Sequence, residues 1–283
     1  MPNYYPLKGN FEGSHPGTEQ CWSDHRRPID TARGEIAEWV LVDGTPSTCT
    51  NIGLFTLNAL LGTPDAPPAT LVVSGPNFGR NTGTAFSVSS GTLGAALAGS
   101  LGGVRGVAIS YGHFASNPPT LEPRENVPKL SKEECTEVTA LACKYCVSIL
   151  QQLWDGWAKD AQVQVYSINV PLCETLKAPK VCWTRIWHSQ HVQQYPLPSE
   201  GREDADRLLP LGVPIHAVQQ EANASYLDFR PNLARAMRPV GDEPLEEGTD
   251  AWAMCHGYIG ISRLVACFEQ VRSDDVAPPT CPL

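Results

Sequence analysis

Residues 72–92 read VVSGPNFGRNTGTAFSVSSGT, a run of glycines, asparagines and hydroxyls set between two apolar stretches. The run is entered through ATLVVSG (69–75), whose apolar, partly β-branched content predicts a buried strand. It leads into GTLGAALAGSLG (91–102), which predicts a helix of small residues starting at Gly91. In α/β folds ligands sit where the carboxyl end of a strand passes through a loop into a helix N-terminus. Free N–H groups and the helix dipole favour a phosphate there. The loop is no Walker A motif, because no Gly-Lys-Ser/Thr follows, and Gly75, Gly79 and Gly83 recur evenly rather than as G-x-G-x-x-G. The residues alone leave two readings open: a phosphate cradle lined by Asn77, Asn81, Ser89, Ser90 and Thr92, or a structural Asx- and Gly-rich loop.

Upstream, EWVLVDGTP holds a short apolar strand, Trp39 to Val42, stopped by Asp-Gly-Thr-Pro. A helix follows through STCTNIGLFTLNALLG, with Thr45 or Ser47 as its cap and Pro46 in the first turn. Asp43 reads as a turn residue. Downstream, RGVAISY (105–111) is a further strand. SKEECTEVTALACKYCVSILQQLWDGWA (131–158) is a long helix opened by a Ser131/Glu134 capping box, with Val138, Leu141, Ala142, Tyr145, Ile149 and Leu153 on one stripe. VQVYSINVP, VCWTRIWH and GYIGISRLVACF read as strands. Continuously apolar strands alternating with helices predict a three-layer α/β fold around a largely parallel sheet covered on both faces. The organisation expected is an irregular segment over 1–35, one domain over 36–270 with polar excursions from about Tyr195 to Glu247, and a tail over 271–283.

The chain of 283 residues is 42% hydrophobic and 18% charged, a globular balance. Its formal charge of −9 argues against nucleic acid or an anionic membrane as partner. No apolar run is long enough to span a bilayer and no secretory h-region opens the chain, so a cytoplasmic location is expected. Of the ten cysteines only Cys143 and Cys146 are close, and they are expected on the buried face of the long helix rather than at a metal. His188, His191 and Cys182 lack the carboxylate or helix of a zinc site, and His113 reads as a loop residue. No G-x-S-x-G elbow occurs, so serine-esterase chemistry is unsupported.

DGTPSTCTNIGL, LVVSGPNFGRNTG and SSGTLGAAL resemble, in order and spacing, motifs of the SurE survival-protein family of phosphatases and nucleotidases. VYSINVPL looks like that family's strand ending in Asn-x-Pro, and GTDAWAMCHGYIGIS like its closing segment. The likeness spans about Glu38 to Phe268 and is nearest to the fungal SurE-like branch, some of whose members carry a tubulin-tyrosine-ligase-like domain. It implies a SurE-like fold with a smaller β arm that supports dimers, and a metal-dependent hydrolase of phosphate monoesters, notably nucleoside 5′- and 3′-monophosphates. By the same likeness Asn77 matches a residue that helps bind a divalent metal, Mg²⁺ or Mn²⁺. Asn81, Ser90, Gly91 and Thr92 match positions lining the phosphate pocket. Family members open with a strand running into Asn-Asp-Asp-Gly, whose carboxylates hold the metal. This sequence carries no such opening, and its one Asp-Asp pair, Asp274-Asp275, lies near the end. The expectation is therefore of an N-terminally incomplete domain. The alternative class is a non-catalytic phosphate- or nucleotide-binding protein or scaffold that has lost the metal.

Overall fold

The computed structural model describes residues 2–6, 29–34, 36–112, 114–115, 130–189 and 245–267. His113, His191, the excursions up to residue 244 and the tail beyond 267 lie outside them. The main sheet has five strands in the order β3-β4-β5-β7-β6, comprising β3 (Leu71–Phe78), β4 (Arg105–Tyr111), β5 (Val165–Val170), β6 (Val181–Thr184) and β7 (Ile259–Leu264). β3, β4 and β5 run parallel. β7 pairs antiparallel with β5, and β6 parallel with β7. The sheet is thus parallel in its first three strands and reversed in the last two.

Two faces of the sheet are separated by the period of two along each strand. Val107, Ile109 and Tyr111 of β4 and Tyr166, Ile168 and Val170 of β5 point one way and join the large core. There they meet α5 (Lys132–Gly156) through Val138, Ala142, Cys146, Ile149 and Leu153, while Leu141 and Tyr145 of the expected stripe pack partly buried against the same core. Ser131 caps α5 in a complete capping box: its Oγ accepts from Glu134 N at 3.1 Å, and its own N–H donates to Glu134 Oε2 at 2.6 Å. The Cys-x-x-Cys pair divides between surfaces, Cys146 buried and Cys143 exposed, so only one thiol shares the core face. The reason is spacing. Three residues turn a helix about 300°, which carries Cys143 to the rim of the stripe.

The opposite face carries Ala108 and Val165 and is covered by α4 (Gly91–Leu101) through Leu93 and Ala96. A Cβ on Gly106 would run into the Ala96 carbonyl, so glycine lets the α4 backbone lie directly on β4. α1 (Pro46–Phe55) packs outside α4, followed by the short α2 (Leu57–Leu60). Thr45 is the cap of α1, its hydroxyl accepting from Thr48 N at 3.2 Å. Pro46 lies against Gly91, and Thr50 Oγ1 donates to Ala95 O at 3.1 Å, which ties the DGTPSTCTN segment to the start of α4. Farther along the same face lies α6 (Asp250–Cys255), whose Ala253 sits over Gly260 of β7.

One departure concerns the N-terminal segment, expected to be irregular. Pro2–Pro6 forms β1, paired in parallel with β2 (Ala37–Leu41) in a separate two-stranded sheet. Tyr4 and Tyr5 have β propensity, but a pairing across 30 intervening residues carries no local period to read. No helix among the described residues is long and apolar enough to cross a membrane.

Candidate functional site

The loop after β3 is built around a polar row that crosses three strands. In the register of the parallel ladder Asn77 of β3 stands beside Ser110 of β4, and Ser110 beside Asn169 of β5. All three lie at the carboxyl ends of their strands, on the face covered by α4. Asn77 reaches this row because the β3–β4 register shifts between Ser74 and Asn77, an extra residue that re-aims the strand end. Ser110 and Asn169 are buried, 1% and 2% exposed, and buried polar groups need partners. They find them in the loop above.

Asn81 is the partner that holds the row together. Its Nδ2 donates to Ser110 Oγ at 2.6 Å and to Asn77 Oδ1 at 3.2 Å, and its backbone N–H donates to Asn169 Oδ1 at 2.9 Å. Asn77 Oδ1 also accepts from Thr92 Oγ1 at 2.9 Å, and Asn77 Nδ2 donates to Gly79 O at 2.7 Å. The first turn of α4 is thereby joined to the row. Ser90 is the N-cap of α4, its Oγ accepting from Leu93 N at 3.0 Å while its O–H remains available to donate. The N–H groups of Gly91 and Thr92 open the helix and have no intrahelical acceptor. The structure thus brings Asn77, Asn81, Ser90, Gly91 and Thr92, the five residues expected from sequence, into one place. Ser89 does not join them: it caps back onto Ala85 O at 2.9 Å within α3 (Thr84–Ser89).

The sequence reading did not select Ser110 and Asn169. Their signal was present, a polar residue near the carboxyl end of a largely apolar strand in each of AISY and SINVP. A third missed residue is Asp250, 2% exposed. Its carboxylate accepts from the backbone N–H of Gly83 and of Trp187, both at 2.9 Å, and of Ala251 at 2.8 Å. It pins the far end of the asparagine loop to the segment after β6 and to α6. Burial pushes this carboxyl up to about 6, against the pull of its N–H donors. Arg80 lies between Gly79 and Asn81 in the loop. Burial lowers its guanidinium to about 10, opposed by the charges of Cys255 and Asp250.

The metal expectation can be tested on the donors themselves. Asn77 Oδ1 already accepts two hydrogen bonds, from Thr92 and Asn81, and is a neutral ligand. Mg²⁺ sites rest on one or two carboxylates. Among the described residues no group of three His, Cys, Asp or Glu is placed to hold a metal ion. Asp43 is exposed in the turn before α1. The described donors do not fit a Mg²⁺ or Mn²⁺ centre. What they do fit is an oxyanion, with hydroxyl, amide and helix N–H donors at a strand–helix junction.

Comparison with known proteins bears on the family of the chain. A family model described as "Survival protein SurE" matches residues 14–193. The chain is 30% identical over 271 residues to a "5'-nucleotidase SurE" of Picosynechococcus, covering 88% of this chain and 78% of that protein. It is 33% identical over 192 residues to the "5'-nucleotidase SurE" of Carboxydothermus hydrogenoformans, covering 68% and 59% respectively. It is also 36% identical over 160 residues to a "Probable tubulin--tyrosine ligase" of Saccharomyces cerevisiae, covering 56% of this chain but only 18% of that much longer protein. The chain therefore spans well under two thirds of the length of some of the relatives it matches. A solved SurE protein from Aquifex aeolicus aligns with TM-score 0.49 and 21% identity, over 86% of this chain and 73% of that one. By the family match and by its nucleotidase relatives, the chain belongs to the SurE survival-protein family.

Proposed function

We propose that the row of Asn77, Ser110 and Asn169, with Asn81 and the start of α4, holds the phosphate group of a nucleoside monophosphate or another phosphate monoester, as the substrate-binding part of a phosphomonoester hydrolase. The observation that carries this reading is the hydrogen bond from Thr92 Oγ1 to Asn77 Oδ1, which sets the first turn of an eleven-residue helix beside the strand-end row. The N–H groups of Gly91 and Thr92 and the hydroxyl of Ser90 can donate to phosphate oxygens, and the helix dipole favours their charge. Redirecting the Thr92 hydroxyl from an amide oxygen to a phosphate oxygen exchanges a neutral hydrogen bond for a charge-assisted one, which is about twice as strong.

Hydrolysis of the ester further requires an activated water and relief of charge at phosphorus. Relatives described as 5'-nucleotidases support that chemistry for the family, and a divalent cation is the expected agent. Since the described residues do not fit that cation, no step is assigned to it. A second reading, binding without turnover, is favoured by the carboxylate-free donor set around Asn77. Titration calorimetry with a nucleoside 5′-monophosphate tests the common part of both. Thr92→Val should weaken binding by about 1.5–3 kcal/mol, the net value of a hydrogen bond to a charged group. Equal affinity for wild type and variant refutes the site. Turnover of an aryl phosphate stimulated by Mn²⁺ and abolished by Asn77→Ala favours the hydrolase; retained binding without stimulated turnover favours the binding protein.

A further inference from the structure

The short helix α3 has both of its ends committed. Ser90, which closes it, is also the N-cap of α4, so α3 leads directly into the turn of Ser90, Gly91 and Thr92. At its other end the opening N–H groups have no intrahelical acceptor and must find one elsewhere. Three of them do. The Gly83 N–H donates to Asp250 Oδ2 at 2.9 Å, the Thr84 N–H to Trp187 O at 2.8 Å and the Ala85 N–H to Ser189 Oγ at 3.1 Å. The Thr84 hydroxyl reaches the same Trp187 oxygen at 3.2 Å.

These acceptors form one clamp. Asp250 opens α6, while Trp187 and Ser189 lie on the segment after β6. The two pieces are joined by a bridge between Arg185 and Thr249, by the Asp250 N–H donating to Arg185 O at 2.9 Å, and by the Trp187 N–H donating to Asp250 Oδ1. The loop sits tightly in the clamp: a Cβ on Gly83, whose φ is +79°, would stand 2.7 Å from Ser189 Oγ. Two residues earlier the Asn81 N–H donates to Asn169 Oδ1, and the Asn81 side chain holds Ser110 and Asn77. The stretch from Asn81 to Thr92 is thus suspended between the polar row, the clamp and the start of α4.

We propose that Asp250 is a positioning residue for anion binding: by holding the Gly83 N–H it fixes α3, and through α3 the Ser90 hydroxyl and the closure of the loop over the row. The proposal rests on the phosphate-monoester reading and adds to it what keeps the donors in place before the ligand arrives. Donors already held in place are not ordered at the moment of binding, and that is where a clamp gains affinity. The rival role is a tether for α6 alone. Since α4 also rests on β4 at Gly106 and is tied to α1 through Thr50, that role would change stability and leave anion affinity alone.

Asp250→Asn separates the two roles. Asparagine keeps one acceptor oxygen; turned to retain the bonds from Trp187 and Ala251, it sets an NH2 group against the Gly83 N–H and releases that tether only. Inorganic phosphate is the probe, titrated calorimetrically at neutral pH into the full chain as wild type, Asp250→Asn, Ser131→Ala and Thr92→Val. Asp250→Asn should weaken phosphate by roughly tenfold, the worth of one hydrogen bond to a charged group, while Ser131→Ala, at the cap of α5, should leave it unchanged. Affinity of Asp250→Asn within twofold of wild type overturns the proposal; if Thr92→Val is impaired beside it, the phosphate reading stands alone. Equal binding by wild type and Thr92→Val refutes the phosphate reading and takes the proposal with it, as does a wild type that binds nothing.

Coupling between clamp and site is reciprocal, so phosphate should in turn tighten the clamp. Hydrogen exchange on the wild type measures this and needs no variant to fold. Phosphate should slow exchange of the Gly83, Thr84 and Ala85 amides several-fold. Exchange there that is indifferent to saturating phosphate overturns the proposal whatever Asp250→Asn does, because a merely structural Asp250 leaves the clamp unmoved by ligand.

Discussion

Replacing Asp250 by alanine removes the acceptor for three buried backbone N–H groups, on Gly83, Trp187 and Ala251, at 2.8–2.9 Å. Each orphaned donor costs about 1–3 kcal/mol, and the Ala251 N–H, bonded only to the carboxylate of the residue before it, is counted at part of that. Two donors fully lost and one partly lost give a destabilisation on the order of 4 kcal/mol, a large part of a typical net stability of about 5–15 kcal/mol. The loss must also depend on pH. The folded carboxyl is raised from 3.8 to about 6, so its contribution is fully present below about pH 4 and is lost as pH rises through 6. About two pH units correspond to roughly 3 kcal/mol. The wild type forfeits that amount on going to neutral pH, and the alanine variant, having no carboxyl there, does not. The stability gap should therefore be about 4 kcal/mol at pH 4 and shrink to about 1–2 kcal/mol at pH 7.5. Urea denaturation followed by tryptophan fluorescence at both pH values measures it. A gap that widens with pH, or one below 1 kcal/mol at pH 4, refutes the reasoning that Asp250 is a buried, backbone-saturated carboxyl.

Three further outcomes follow from local contacts. Ser131→Ala removes the bond from Glu134 N to the Ser131 hydroxyl, leaving the backbone N–H of residue 131 to donate to Glu134, and should lower stability by about 1 kcal/mol, visible as a lower melting temperature without change in phosphate affinity. In Gly91→Ala the new Cβ would stand 2.8 Å from Pro46 Cγ. That overpacking should cost about 1–3 kcal/mol, and the displaced helix start should weaken phosphate as well; a variant that binds normally would show that Gly91 is outside the pocket. Brief alkylation of the native protein should label exposed Cys143 and spare Cys146, which is buried and whose thiol is pushed up to about 11 by burial. Equal labelling in peptide mapping would contradict the placement of α5.

Local signals determined much of this protein. The capping box at Ser131, the stripe from Val138 to Leu153 and the helix start at Gly91 are short-range features that formed at the expected residues, whereas the strand before that helix runs on to Phe78 and a short helix, α3, occupies part of the expected loop. The five candidate residues were selected for the same reason: they lie within sixteen positions of one another, between the end of β3 and the first turn of α4. Tertiary structure decided what joins them. Ser110 and Asn169 enter only because parallel pairing sets them level with Asn77, a register that depends on a shift between Ser74 and Asn77 and on strands up to 88 residues from Asn81. Asp250 reaches Gly83 across 167 residues. In sequence it ends the acidic run 242–250, which reads as a solvated face, and the structure instead buries it. Likewise the reversal of β7 against β5 and the pairing of Pro2–Pro6 with Ala37–Leu41 are non-local backbone contacts. Side-chain periodicity reports which face of an element is buried, not which distant edge its N–H and C=O groups will meet, and in this protein that second choice assembles the site.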